Sequence, residues 1–259
     1  MTITRQVSFL VTLLTFILIL VSIRNARSGR LPQIRKIPGL EAIDEVVGRA
    51  TEMGRPVICI PGSGDVVDSS AVQTLAGLAI MQHVAHRAAA MGARLLVSVK
   101  WPNVYPLVIE QLRQAYLSEG KIEAFQPMEQ VYFVTQEQMA YILATLGIMQ
   151  REKVAGAVLT GFFQADSLLM AEGAAQAGAV TIAGTTRTYQ IPFFVAACDY
   201  VLLGDELLVA GAYLSQDPVK LGSVQALDYL KVLAIAIIGI GALLATGGLE
   251  KPFVKLLKM

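Results

Sequence analysis

The sequence predicts an α/β fold, a doubly wound and mostly parallel Rossmann-like sheet, flanked by an N-terminal and a C-terminal transmembrane helix. Three observations predict it. Six short runs rich in β-branched residues alternate with helix-length stretches, each run is almost continuously apolar, and both ends of the chain carry uncharged segments of spanning length. Of 259 residues, 54% are hydrophobic and 16% charged, where soluble domains average roughly one quarter charged.

Residues 7–23 (VSFLVTLLTFILILVSI) carry no charge, and at about 1.5 Å per residue such a helix just crosses a thin hydrocarbon core. Arg24 and Arg27 stand where a signal-peptidase site needs small residues, so the segment reads as a retained anchor. Arg5 alone precedes it, while Arg24, Arg27, Arg30, Arg35 and Lys36 follow. The positive-inside rule then places the next domain in the cytoplasm. Residues 232–249 (VLAIAIIGIGALLATGGL) form the second uncharged segment, between Lys231 and Glu250. Its Gly239, Gly241, Gly247 and Gly248 remove bulk where another helix, of this chain or of a copy, can approach. A re-entrant or interfacial placement is the alternative. The expected domains are an anchor with a basic linker over 1–36, a cytoplasmic α/β domain over 37–228, and a C-terminal transmembrane helix with a short tail over 229–259.

Between the ends, residues 40–53 set Leu40, Ile43, Val46, Val47 and Ala50 at helical spacing, and Gly54 ends that helix. The apolar runs are 56–60, 94–99, 130–134, 155–159, 179–183 and 200–203, and helices fit 69–91, 104–118, 136–151, 164–177 and 191–197. Strands this apolar are covered on both faces, which requires helices on both sides and right-handed crossovers.

Several function classes are excluded. With 21 basic and 20 acidic residues the chain has no field to draw in nucleic acid. Cys59 and Cys198 lie far apart in apolar runs, without disulfide or zinc spacing, and read as small buried hydrophobes. His83 and His86 share a helix at i, i+3 with no third ligand at a recognisable offset, so a solvated face and no metal are expected. No G-x-S-x-G elbow and no H-E-x-x-H pair occurs, and no catalytic residue is named.

Ligands bind such sheets at the carboxyl ends of the strands. The loop after the first run offers Gly62, Ser63, Gly64 and Asp65 as a tight turn able to seat a phosphate, with Asp68, Ser69 or Ser70 to cap the next helix. It lacks the Gly-Lys-Ser/Thr of a Walker A loop and the third glycine of the dinucleotide fingerprint, and a plain capped turn also explains it. The loop after the fifth run sets Thr185 and Arg187 among hydroxyls and glycine, the composition of an anion seat, although surface or subunit contact accounts for such loops too. Asp166 suits the N-terminus of its helix. Glu172, in an apolar stretch, would need a partner if buried, and would then be a functional carboxylate or half of an intersubunit pair. Trp101 closes the second run as a packing residue or interface anchor.

The blocks IPGLEAIDEVVGRATEMGRPV, TLAGLAI, REKVAGAVLTGFFQADSLLMAEGAAQAGAVTIAGT and QIPFFVAACDYVLLGDELLVAGAYLSQDPVKLGS together resemble a bacterial membrane-protein family known only as a domain of unknown function. The resemblance covers about residues 37–223. It implies a membrane-anchored α/β domain and carries over no catalytic residue.

The expected function is that of a non-enzymatic, membrane-anchored structural or scaffold protein forming a homo-oligomer in the cell membrane, without cofactor. Its expected partners are the lipid bilayer and further copies of the chain. The all-round apolar segments 190–197 and 207–214 exceed what one small core absorbs. The alternative is a membrane-tethered domain that binds a nucleotide or other small anion, as an enzyme or not, through Gly62, Ser63, Gly64, Asp65, Thr185 and Arg187. A channel built from the spans would need intramembrane polar or charged residues, and neither span carries a charge, so only a ring of many copies could make a pore.

Overall fold

The computed structural model describes residues 3–28 and 35–246. Arg30, Gly247, Gly248 and the tail from Glu250 lie outside the described residues. In chain order the elements are α1 (Ile3–Arg27), α2 (Pro38–Met53), β1 (Val57–Ile60), α3 (Ala71–Met91), β2 (Leu95–Val99), α4 (Tyr105–Ser118), α5 (Pro127–Gln130), β3 (Val131–Phe133), α6 (Gln138–Glu152), β4 (Gly156–Thr160), α7 (Asp166–Gln176), β5 (Val180–Thr185), α8 (Ile191–Ala197), β6 (Tyr200–Leu203), α9 (Asp205–Ser215) and α10 (Pro218–Thr246), with a 3-10 turn at Ile122–Ala124. They form two compact units, Met1–Ile34 with Ser215–Met259, and Arg35–Leu214.

The Arg35–Leu214 unit is built on one six-stranded sheet in the order β3-β2-β1-β4-β5-β6, with every pair parallel. It is a Rossmann-like α/β fold, and all six expected apolar runs are its strands. Side chains alternate between the two faces. Val57 and Cys59 of β1, with Leu95 and Val97 of β2, join a core with α2, α3, α4 and α9. Ile58, Ile60 and Leu96 join a second core with α6, α7 and α8. Burial on both faces is why the strands read as unbroken apolar runs rather than as an alternation.

Local chemistry sets the helix ends. Pro38 opens α2 in its first turn, the Leu40, Ile43, Val46, Val47 and Ala50 stripe is buried, and Gly54 closes it in a left-handed conformation with φ of 62°. Helix α6 is capped by Glu137, whose carboxylate accepts from the amides of Met139 and Ala140. At the amino edge of the sheet Arg55 collects the C-terminal carbonyls of two helices. Its Nη2 donates to Ala177 O at 2.8 Å and to Val154 O at 3.2 Å, and its Nε donates to Lys153 O.

Two boundaries differ from the sequence reading. Residues 205–215 form α9, whose apolar surface on all sides hides any helical period. The C-terminal helix begins at Pro218 rather than at 232. There Asp217 accepts from the amide of Val219 at 2.8 Å and starts the helix, and Lys220, Asp228 and Lys231 do nothing to break it.

In the other unit α1 and α10 pack together. A Cβ on Gly222 would fall 2.8 Å from the Cα of Ile23, so the two backbones touch there. Ser22 and Ala26 of α1 and Leu221 and Ala226 of α10 are buried, whereas a Cβ on Gly239 meets open space. Among the described residues, the segment Pro218–Leu243 of α10 is long and apolar enough to cross a membrane, and Ile235 and Ile238 stand well exposed on it.

Candidate functional site

The strand order reverses between β1 and β4, where the chain leaves one strand toward α3 and the other toward α7. The carboxyl end of that pair is the topological switch point, the place where an open parallel sheet leaves a crevice. Four loops meet there, after β1, β2, β4 and β5.

The β1 and β4 loops are joined backbone to backbone. Ser63 N donates to Phe162 O at 2.8 Å, Gly62 takes φ of 86°, and Gly161 takes φ of 137°. A Cβ on Gly62 would fall 2.6 Å from Phe162 N, and one on Gly161 would fall 2.6 Å from Pro61 O. Glycine is therefore required at both positions by conformation and by space. The β2 loop clips onto them, with Trp101 Nε1 donating to Ser63 O at 2.8 Å and Asn103 Nδ2 donating to Asp65 Oδ2 at 3.0 Å. Asp65 Oδ1 also accepts from the amide of Val66 at 2.7 Å. Gly62, Ser63, Gly64 and Asp65 are accordingly buried, held by protein partners. Asp68 accepts from the amide and hydroxyl of Ser70, which hold its carboxyl below the usual range, and Ser70 makes no side-chain cap of α3.

On the β5 side, Thr185 is buried and its hydroxyl accepts from the amide of Arg187 at 3.3 Å. The Arg187 guanidinium lies 4.6 Å from the centre of the Phe162 ring. Its Nε is buried, and among the described residues the group makes no hydrogen bond or ion pair. Arg187 thus reaches the β4 loop, and through Phe162 the β1 loop, which brings together the two loops singled out in the sequence.

Three neighbours, Lys100, Tyr141 and Asp166, are not among the site residues expected from the sequence. Lys100, at the end of β2, is only 8% exposed, yet makes no hydrogen bond or ion pair among the described residues. Its Nζ lies 5.6 Å from the centre of the Trp101 ring. Tyr141 is buried and donates to Ser98 O at 3.1 Å. Burial pushes its phenol up, and the Asp166 carboxylate adds to that. Ser98 and Thr145 share a hydroxyl–hydroxyl bond of 2.8 Å beside it. Asp166 is fully buried, with Oδ1 accepting from Gln164 N at 2.7 Å and Oδ2 without a hydrogen-bond partner among the described residues.

The remaining candidates are not drawn into this crevice. Glu172 is exposed, so it has no need of a buried partner. His83 and His86 are half-buried rather than solvated, with His86 Nδ1 3.1 Å from Ser118 Oγ and 3.4 Å from Glu119. Burial lowers the His83 pKa, against an opposing pull from Asp44. Among the described residues no three His, Cys, Asp or Glu side chains stand close enough to hold a metal ion. Cys59 is buried, which pushes its thiol far up, and the half-buried Cys198 thiol is pushed up to about 12.

A second surface feature lies at the free edge of the sheet. Phe133 and Val134 are exposed at the end of β3, and Met139 and Leu143 project one turn apart from α6, 54% and 64% exposed. Pro102, Tyr105, Val131, Tyr132 and Phe133 line an open hollow of about 400 Å³ on this edge.

No curated protein and no solved structure matches this chain. A family model does match, over residues 1–254, well beyond the segment on which the resemblance was read. The chain belongs to the family of that model, DUF6754, a domain of unknown function.

Proposed function

We propose that the chain is a non-enzymatic, membrane-anchored scaffold, with α1 and α10 both spanning the bilayer, its α/β unit in the cytoplasm, and copies joined into a homo-oligomer. The observation that carries the self-association is the exposure of Phe133 and Val134 at the end of β3, beside an open hollow, and of Met139 and Leu143 on the helix that follows. Exposed large apolar side chains gathered in one region mark interaction sites on proteins that are otherwise well packed. β3 is also the end strand of the sheet, and an end strand is the place where a copy can add without disturbing the core.

Native mass spectrometry of the full chain in nanodiscs tests the assembly. A discrete multimer that falls to monomer with the double substitution Met139→Glu, Leu143→Glu supports the reading, and a wild-type monomer refutes it. Sidedness is read with Met128→Cys, since residue 128 is highly exposed while Cys59 is buried. A membrane-impermeant maleimide should label this cysteine only after the cells are opened. Labelling of intact cells would place the α/β unit outside.

A second reading, anion binding, is favoured by one observation: among the described residues the Arg187 guanidinium at the switch point makes no ion pair. An unpaired arginine in a crevice is a ready partner for a carboxylate or phosphate. Thermal stabilisation of the full chain by millimolar phosphate, absent in Arg187→Gln, would support it. Equal melting with and without phosphate would count against it.

A further inference from the structure

Lys100 is enclosed at the end of β2 without a direct polar partner among the described residues. A lysine this enclosed ordinarily neutralises a carboxylate or donates to carbonyls, because an unpaired ammonium out of water is expensive. At 8% exposure Lys100 does neither among the described residues. An acid that acts on it electrostatically is Glu137, and the Glu137 oxygens are engaged by the amides of Met139 and Ala140.

Its position matches that of Arg187. Lys100 follows β2 and Arg187 follows β5, the two strands that flank the β1–β4 pair. Those strands stand about 14 Å apart, three strand spacings. Each cation lies over an aromatic ring, Lys100 at 5.6 Å from Trp101 and Arg187 at 4.6 Å from Phe162. The Trp101 indole is joined to the main chain of Phe162 through Ser63, since Trp101 Nε1 donates to Ser63 O and Ser63 N donates to Phe162 O. Of the nearby acids, Asp65 is taken up by Val66 N and Asn103, and Asp166 accepts from Gln164 N through Oδ1, with no hydrogen bond to Lys100 or Arg187. Two cations without a hydrogen bond or ion pair among the described residues therefore follow the strands on either side of the switch point, and a chain of contacts through Trp101, Ser63 and Phe162 runs between them.

We infer that Lys100 and Arg187 form a single site for a phosphate-bearing anion carrying two negative groups, laid across the Trp101–Ser63–Phe162 track. This rests on the anion-binding reading and adds the second cation and the ligand class. A soluble diphosphate and an anionic lipid headgroup offer the same chemistry. The lysine supplies a point charge and the arginine a planar fork, so a ligand that reaches both is held more tightly than single phosphate.

The test is titration calorimetry of the full chain in phosphatidylcholine nanodiscs with pyrophosphate as the probe. Saturable binding is expected, weaker by about 10- to 100-fold in Lys100→Gln and in Arg187→Gln alike, as for loss of one charge-assisted partner. Nanodiscs containing phosphatidylglycerol separate the sources: weakened pyrophosphate binding there identifies a headgroup in the site, and unchanged binding identifies a soluble ligand. Protection of Lys100 from acylation by pyrophosphate, read by mass spectrometry on the wild-type chain, serves if the variants fold poorly. Loss in Arg187→Gln with full binding in Lys100→Gln and no protection of Lys100 overturns the two-cation site while leaving the arginine reading intact. No binding in the wild type overturns both.

Discussion

The backbone of Gly62 lies against that of Phe162, where a β-carbon would fall 2.6 Å from the amide nitrogen. Gly54 has a left-handed conformation of the same kind, with φ of 62°, and open space around it. Alanine at Gly54 should therefore carry only the conformational penalty, about 1 kcal/mol. Alanine at Gly62 adds a clash with backbone that cannot swing aside, and a loss of about 3 kcal/mol is expected. Denaturant unfolding of the full chain checks the pair. Equal losses would mean that the β1 and β4 loops are not in contact.

Arg55 gives a second test. Its guanidinium serves carbonyls at Lys153, Val154 and Ala177, where the last turns of α6 and α7 gather partial negative charge. Arg55→Ala should lower stability by about 2 kcal/mol, and Arg55→Lys should recover only part, because an ammonium cannot spread over three acceptors. A melting temperature unchanged in Arg55→Ala would rule this role out.

The His83 pKa is lowered from 6.5, chiefly by burial. The folded chain then binds fewer protons at this site than the unfolded chain, so the contribution is intact above pH 6.5 and is lost as pH falls through and below that value. His83→Gln should flatten the stability profile between about pH 7 and pH 5. An identical slope in both proteins would show that another group sets it.

Both thiols are predicted to be inert in the folded chain. Cys59 is sealed in the core, and the Cys198 thiol, pushed up to about 12, holds almost no thiolate near neutrality. Maleimide uptake at pH 7.5 should be negligible until denaturant is added. Prompt modification of Cys198 would contradict its burial against Thr181 and Asp199.

The strands were legible because burial on two faces leaves no polar residue in runs such as Val57–Ile60, a signal that needs no partner to be recognised. Helix α9 was not, since Leu207–Leu214 is apolar around the whole circumference and shows no period. The start of α10 was misread for a different reason. Its boundary was placed where charge disappears, whereas a helix starts where its first amides find a cap, here at Asp217. For the site, the glycines and Arg187 stood out by type alone. Lys100 did not, because a lysine at the end of a strand reads as solvated until the residues around it are known. That the Gly62 and Gly161 loops touch depends on β1 lying beside β4, a pairing between strands 99 positions apart, from Val57 to Gly156.

That pairing has a kinetic side. Every other neighbour of a strand in this sheet comes from the adjacent crossover, but the central pair cannot close until β4 has been made. At about 5–20 residues per second the ribosome needs on the order of 5–20 s to extend the chain from β1 to β4. During that time β1 presents an open, wholly apolar edge, and the half-sheet β3-β2-β1 waits for its complement. The slowest and most aggregation-exposed stage of folding is thus expected to be the docking of two preformed halves at the switch point, since distant parallel pairings close late. The residues that join the halves there, Gly62 and Gly161, are the ones that should slow refolding most when replaced.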